Sequence, residues 1–235
     1  MPTYFLTGAN RGLGLEFVRQ LSLSKDNTII ACVRSLQGDL SDLKSLSSQH
    51  DAAVHILECD NSSLPSISAL RETVAEALGG KKINYLINNA GINATSADTS
   101  LSMDPASLQK HMAVNVLGPA KVVETLQHLL AQDSVVVNMT SGLGSISLSH
   151  QITKCCTYSI SKAALNMLTV HQAHDLAGIA VVICMDPGWV KTRMGGEGAV
   201  LEPEESIGGM LKVFHDVGKG DTAKFYRYSG KEAPW

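Results

Sequence analysis

The stretch "TYFLTGANRGLG" (Thr3–Gly14) decides how this chain is read. A short apolar run, Tyr4–Leu6, delivers a glycine-rich turn straight into a segment of helical character. A helix N-terminus exposes N–H groups without intrahelical partners, beside the positive end of the helix dipole. Strand, turn and helix together make an anion site that fits the pyrophosphate of a dinucleotide. The glycines are spaced G-x-x-x-G-x-G, and Arg11 stands just before the second of them. Alone, such a turn is equally well a loop without a ligand, so the rest of the sequence must decide.

Six further β-branched or aromatic runs follow: Ile29–Val33, Val54–Leu57, Tyr85–Asn88, Val135–Met139, Val181–Met185 and Phe225–Tyr228. Stretches of helical periodicity separate them. This alternation implies right-handed crossovers and a doubly wound α/β Rossmann fold with a seven-stranded, mostly parallel sheet. The runs "VVVNM" and "AVVICM" are apolar nearly throughout, as strands covered on both faces should be. Asp104–Gln132 reads as the longest helix, with Asp104 as N-cap, Pro105 in the first turn and a kink at Gly118-Pro119. A second helix is expected from about Thr153 to Leu176, and a third from near Pro203. With no repeat, low-complexity tract or linker, residues 1–235 read as a single domain.

Composition narrows the function. A net charge of −3 gives no basic field for nucleic acid or an anionic membrane surface. No apolar run reaches the roughly 18 residues that a membrane span needs, and the first residues lack the pattern of a signal peptide. Three of the five cysteines sit in or beside strand-like runs and the other two are adjacent, which is no disulfide framework. A reducing cytoplasm is expected. His171 and His174 lie three apart on a helix without companion ligands, so no metal site is expected.

A dinucleotide fold carries its second discriminator after the second strand: an acid for the ribose 2′-OH, or an arginine for a 2′-phosphate. Here "TIIACV" is followed by Arg34, and no Asp or Glu lies between Asn27 and Gly38. An acid would repel the 2′-phosphate, whereas a guanidinium holds it through charge-assisted hydrogen bonds. The reading is NADP (NADPH) rather than NAD.

Tyr158 and Lys162 in "TYSISKAAL" are four residues apart, hence on one face of a helix. A chain of this composition holds roughly 0.3 such pairs by chance, so position has to add weight. The pair follows the strand "VVVNM" and its polar exit "TSGLGS", which carries Ser141. "NNAG" (Asn88–Gly91) and "MDPGWVKT" (Met185–Thr192) end two other strands at the same expected edge, where ligands of such sheets bind. Carbonyl reduction needs a proton donor at the oxygen. A free tyrosine has a pKa near 10, and an ammonium at about 4 Å would bring it down toward neutrality for the reverse reaction.

With these pieces assembled, the chain resembles the short-chain dehydrogenase/reductase family over nearly its whole length. "TGANRGLG", Asp60 in "CDN", "NNAG", Asn115 in "MAVNVLG", Ser141, "YSISK" and "DPGWVKT" occur in the family's order. The resemblance implies a catalytic tetrad of Asn115, Ser141, Tyr158 and Lys162. Asn115 would hold a proton-relay water at a helix irregularity before Gly118-Pro119, and Lys162 would also bind the nicotinamide ribose. Cofactor contacts are implied for Gly8, Asn10, Arg11, Gly12, Leu13 and Gly14 of the turn, and for Arg34, with Arg11 and Arg34 at the positions of NADP-preferring members. Asp60 and Asn61 would bracket the adenine, and Asn89, Ala90 and Gly91 would line the cofactor. Pro187, Gly188, Val190 and Thr192 would hold the carboxamide end.

The turn "DPGWVKT", a short substrate loop and the ending "GKEAPW" resemble the NADP-preferring carbonyl-reductase branch. This implies NADPH-dependent reduction of a small-molecule aldehyde or ketone. Two rivals stay open: a non-enzymatic NADP-binding regulator and an NAD-dependent alcohol dehydrogenase. Ser141 and Tyr158 are about four residues further apart than in most members, so a small insertion, with Ile152 and Cys155-Cys156, precedes the catalytic helix. It could shape the substrate mouth or disturb the usual subunit contacts, with the two thiols as small apolar fillers or, alternatively, a redox-active pair. A homodimer through the two long helices is one implied assembly, unless the insertion covers them. Ile146, Ile152, Trp189 and Met194 are candidate pocket walls, with core packing as the alternative for each. Gly195, Gly196 and Gly198 suggest either a mobile lid or a loose connector.

Overall fold

The computed structural model describes residues 1–149 and 153–235, and in it strands and helices alternate along the chain. The first half runs β1 (Thr3–Thr7), α1 (Gly12–Ser22), β2 (Thr28–Val33), α2 (Ser41–Gln49), β3 (Ala53–Glu58), α3 (Leu64–Leu78) and β4 (Ile83–Asn88). The second runs α4 (Pro105–Met112), α5 (Gly118–Leu126), β5 (Leu130–Met139), α6 (Cys156–Asp175), β6 (Ala180–Asp186), α7 (Pro203–Asp216) and β7 (Phe225–Arg227). All seven strands join one sheet in the order β3-β2-β1-β4-β5-β6-β7. Every pairing is parallel, so the sheet is wholly rather than mostly parallel. Strand order reverses between β1 and β4, and the crevice outside their carboxyl ends is where such a sheet takes its ligand.

Side chains alternate across each strand. In β1, Tyr4 and Leu6 join the core on one face while Phe5 joins the core on the other; Ile29, Ala31 and Val33 of β2 oppose Ile30 and Cys32 in the same way. α1 and α7 cover the first face, where the Phe17 and Phe214 rings stack with centroids 5.9 Å apart. α3 and α5 cover the second through Ile67, Leu70, Val74, Val122 and Leu126. Each fully buried Phe or Leu contributes about 1.5–3 kcal/mol.

The stretch expected as one helix over Asp104–Gln132 is divided. Asp104 caps α4 as predicted, its carboxylate accepting from Ser107 N–H. The irregularity is a π turn over Ala113–Leu117, before the Gly-Pro pair as the resemblance implied, and not the kink expected at the pair itself. In an α-helix the Asn115 carbonyl would take its bond from residue 119, a proline with no N–H. The ladder widens instead, with Gly118 N–H reaching back to Ala113 O. Helical structure then ends at Leu129, because the following residues pair as β5 from Leu130. α6 likewise starts at Cys156, later than the expected Thr153, because Cys155 takes a left-handed conformation with φ of 60°.

Candidate active site

The glycine turn lies between β1 and α1, with α1 brought so close that a Cβ on Gly14 would sit 2.0 Å from the Gly8 carbonyl oxygen. Only glycine allows that approach, which leaves the N–H groups of the first turn facing the crevice. Asn89 and Ala90 serve this turn from behind. Asn89 Nδ2 donates to Thr7 O (2.9 Å) and Gly8 O (3.3 Å), and Ala90 N–H donates to Thr7 Oγ1 (3.0 Å). Asn10, Arg11, Gly12 and Leu13 remain accessible along the turn.

Arg11 and Arg34 share one neighbourhood. Burial, then the charges of Arg193 and Arg34, lower the Arg11 pKa. Among the described residues no carboxylate pairs with any of the three guanidinium groups. Asp60 Oδ1 accepts from Ser62 N–H (2.9 Å) and Ser62 Oγ (2.7 Å), leaving its second oxygen for a ligand. Asn61 is buried beside Gly118, and its Nδ2 has no partner among the described residues. An anion cradle, unpaired cations and an orphaned amide along one edge are what a phosphorylated dinucleotide requires.

Asn115, Tyr158 and Lys162 are all buried and come together behind Gly91. A Cβ on Gly91 would lie 3.4 Å from Asn115 Oδ1 and 3.5 Å from Lys162 Nζ. Asn115 is fixed at both ends: Oδ1 accepts from Ile92 N–H (2.8 Å), and Nδ2 donates to Ile92 O (2.9 Å) and Ser161 Oγ (3.0 Å). Lys162 Nζ donates to Met139 O (2.7 Å) and lies 5.6 Å from the centre of the Tyr158 ring. Burial lowers its pKa to about 8.

Tyr158 behaves differently from the expectation that the ammonium would acidify it. Burial and the charge of Asp186 raise its pKa, and the nearby Ser141 hydroxyl only partly offsets them. With Lys162 turned to the Met139 carbonyl, desolvation of the phenolate outweighs the lysine's field. The phenol is therefore a protonated acid at neutral pH. Ser141 itself caps a short 3-10 turn, its Oγ accepting from Leu143 N–H (3.2 Å).

The loop after β6 closes the site. Gly188 N–H donates to Asp186 Oδ1 (3.0 Å), Ser206 Oγ donates to Pro187 O (2.7 Å), and Val190 is buried and pairs with Leu201. The Thr192 methyl carbon lies 3.6 Å from the Cβ position of Gly12, so this loop touches the phosphate turn. Its glycines pack around one side chain. The Trp189 indole N–H donates to Gly195 O (2.8 Å), and a Cβ on Gly198 would lie 2.5 Å from the Trp189 ring. Ile146, Trp189 and Met194 are 82%, 58% and 51% exposed, which removes core packing as their explanation. Ile152 lies outside the described residues. Cys155 is no apolar filler: half-buried, its thiol donates to Ser96 O (3.2 Å) at the entrance to α6.

Sequence reasoning missed the support of the site. His111 is fully buried, its Nε2 accepting from Ala94 N–H (3.1 Å) while Nδ1–H donates to Ser107 O (2.8 Å). Asp98 caps α6 from outside, Oδ2 accepting from Thr157 N–H (3.0 Å). A buried chain runs from Asn88 Nδ2 to Asn138 Oδ1, and from Asn138 Nδ2 to Thr169 Oγ1 and Gln172 Oε1. It ties α6 to the sheet. The apparent signal was polar residues inside otherwise apolar strands.

Comparison with known proteins agrees with this fold. The family model described as short chain dehydrogenase matches residues 3–199. The chain is similar to the NADPH-bound carbonyl reductase from chicken fatty liver, with a TM-score of 0.92 and 31% identity, covering 100% of this chain and 99% of that one. It is similar to the carbonyl reductase Sniffer of D. melanogaster, with a TM-score of 0.91, 27% identity and full coverage of both chains. C-signal from Myxococcus xanthus is 33% identical over 65% of this chain and 93% of that protein. By its fold, the convergence of its motifs and this match, the chain belongs to the short-chain dehydrogenase family.

Proposed function

We propose that the protein is an NADPH-dependent reductase of aldehyde or ketone carbonyls, with Tyr158 as the proton donor. The observation that carries this reading is the buried grouping of Tyr158, Lys162 and Asn115 beside Ser141, with a tyrosine whose pKa is raised. A protonated tyrosine can give its proton to a developing alkoxide, as carbonyl reduction requires. NADPH bound along the carboxyl edge of the sheet supplies the hydride. Arg11 and Arg34 hold its 2′-phosphate; the turn from Gly8 through Gly14, Asp60, Asn61, Gly91 and the Pro187–Thr192 loop seat the rest.

Ser141 orients the substrate oxygen, and the Tyr158 hydroxyl delivers the proton to it. Lys162, with a pKa of about 8, populates both protonation states near neutrality and so can return a proton to the tyrosine. Asn115, clamped to Ile92 and Ser161, keeps the relay end of the site in place. A regulator that only bound the nucleotide would have no use for four such groups. Trp189, Met194 and Ile146 line an open substrate mouth suited to tolerant recognition.

The test is NADPH oxidation against aldehydes, ketones, quinones and diketones, in wild type and Arg11→Ala/Arg34→Ala. We expect turnover of at least one carbonyl class, and a loss of NADPH affinity of roughly 100-fold with little change for NADH. Equal losses for both cofactors would refute the assignment of the arginines.

A further inference from the structure

Arg193 is a third cation at the phosphate end of the site, and it comes from an unexpected place. Arg11 belongs to the turn after β1 and Arg34 to the turn after β2, whereas Arg193 belongs to the loop after β6 that also presents Trp189 and Met194. The Thr192 methyl carbon sits 3.6 Å from the Cβ position of Gly12, which sets Arg193 one residue beyond contact with the phosphate turn. Its charge reaches Arg11, where it ranks above that of Arg34 in lowering the Arg11 pKa.

We propose that Arg193 is a phosphate-binding residue for the dinucleotide, and that through it the substrate-side loop Trp189–Ala199 is held to the cofactor side of the site. This rests on the reading of the cofactor as NADP(H). Arg193 and Arg34 each repel Arg11, none of the three has a carboxylate partner among the described residues, and an anion bound between Arg11 and Arg193 removes the repulsion of that pair. Arginine suits the role because its fork of donors matches phosphate oxygens. The loop is built to transmit the contact. Thr192 O accepts from Gly196 N–H (3.1 Å), Thr192 Oγ1 accepts from Gly195 N–H (3.2 Å), and Trp189 is fastened to Gly195 O. Binding at Arg193 therefore orders the same turn that carries the candidate substrate walls. The shared ligand chemistry is phosphate, and either the 2′-phosphate or the pyrophosphate supplies it.

Calorimetric titration of the full chain with NADP⁺ and NAD⁺ tests this, with hydrogen exchange of residues 189–199 as a second readout. Arg193→Ala should weaken NADP⁺ about tenfold and remove the protection that NADP⁺ confers on the loop, with Arg193→Lys retaining part of both. A loss confined to NADP⁺ assigns the contact to the 2′-phosphate; equal losses for both nucleotides assign it to the pyrophosphate. Unchanged affinity for both in Arg193→Ala overturns the proposal while leaving the NADP reading intact. Wild type binding NAD⁺ as tightly as NADP⁺ would instead overturn the reading beneath it. Arg193 is exposed and unpaired with any described carboxylate, so thermal melts of the variants should match wild type.

Discussion

At Tyr158 the influences on one proton can be separated. Burial raises the phenol's pKa, Asp186 raises it further, and Ser141 opposes both. Asp186 accepts from Gly188 N–H through Oδ1, a bond that asparagine would keep. Asp186→Asn therefore removes a charge with little change of shape, and the Tyr158 pKa should fall. Reduction needs the protonated phenol, so the alkaline limb of its kcat profile should move to lower pH by roughly half to one unit. The acid limb of the reverse alcohol oxidation should move the same way, and profiles that do not move would mean that Asp186 has no hold on the tyrosine. The Tyr158–Lys162 spacing was legible because a helix places residues four apart on one face. The effect of Asp186 was not, because it depends on β6 lying beside β5, with Met185 opposite Met139.

The position of α6 rests on groups far away in sequence. Its N-terminus takes a cap from Asp98, whose carboxylate accepts from Thr157 N–H and Thr95 Oγ1. Burial works to raise the Asp98 pKa, and the bonds from Thr157, Cys156 and Thr95 outweigh it and leave it lowered. A carboxyl with a depressed folded pKa stabilises the fold above its unfolded value, and the contribution fades as pH falls through the folded one. Asp98→Ala should cost about 1 kcal/mol at neutral pH, a fall of roughly 2–4 °C in Tm, with the deficit shrinking at low pH. A variant melting with wild type across that range would show the cap to be idle. No local rule finds such a cap, which is why Thr153 looked like the start of the helix. The π turn is different: Pro119 marks a broken ladder in the sequence, and the family resemblance places the irregularity before Gly118-Pro119, where it lies.

For the whole molecule, the alternation of apolar runs and helical stretches was enough to reach a seven-stranded doubly wound sheet. Each strand buries both faces, so the pattern is strong and the connections allow few topologies. The edge of the site was legible for the same reason, since "NNAG", Ser141 and "DPGWVKT" each follow a strand. What joins loops from separate strands was not: Thr192 beside Gly12 of the phosphate turn, Asn89 bracing Gly8, and the turn around Trp189. In the proposed reaction Tyr158 gives the proton within an otherwise ordinary NADPH complex, and NADPH affinity and carbonyl turnover of Tyr158→Phe, measured side by side, decide it. A near-native Tm and Kd are expected, with kcat reduced about 10²–10⁴-fold. Near-full turnover in a folded variant that binds NADPH would contradict it.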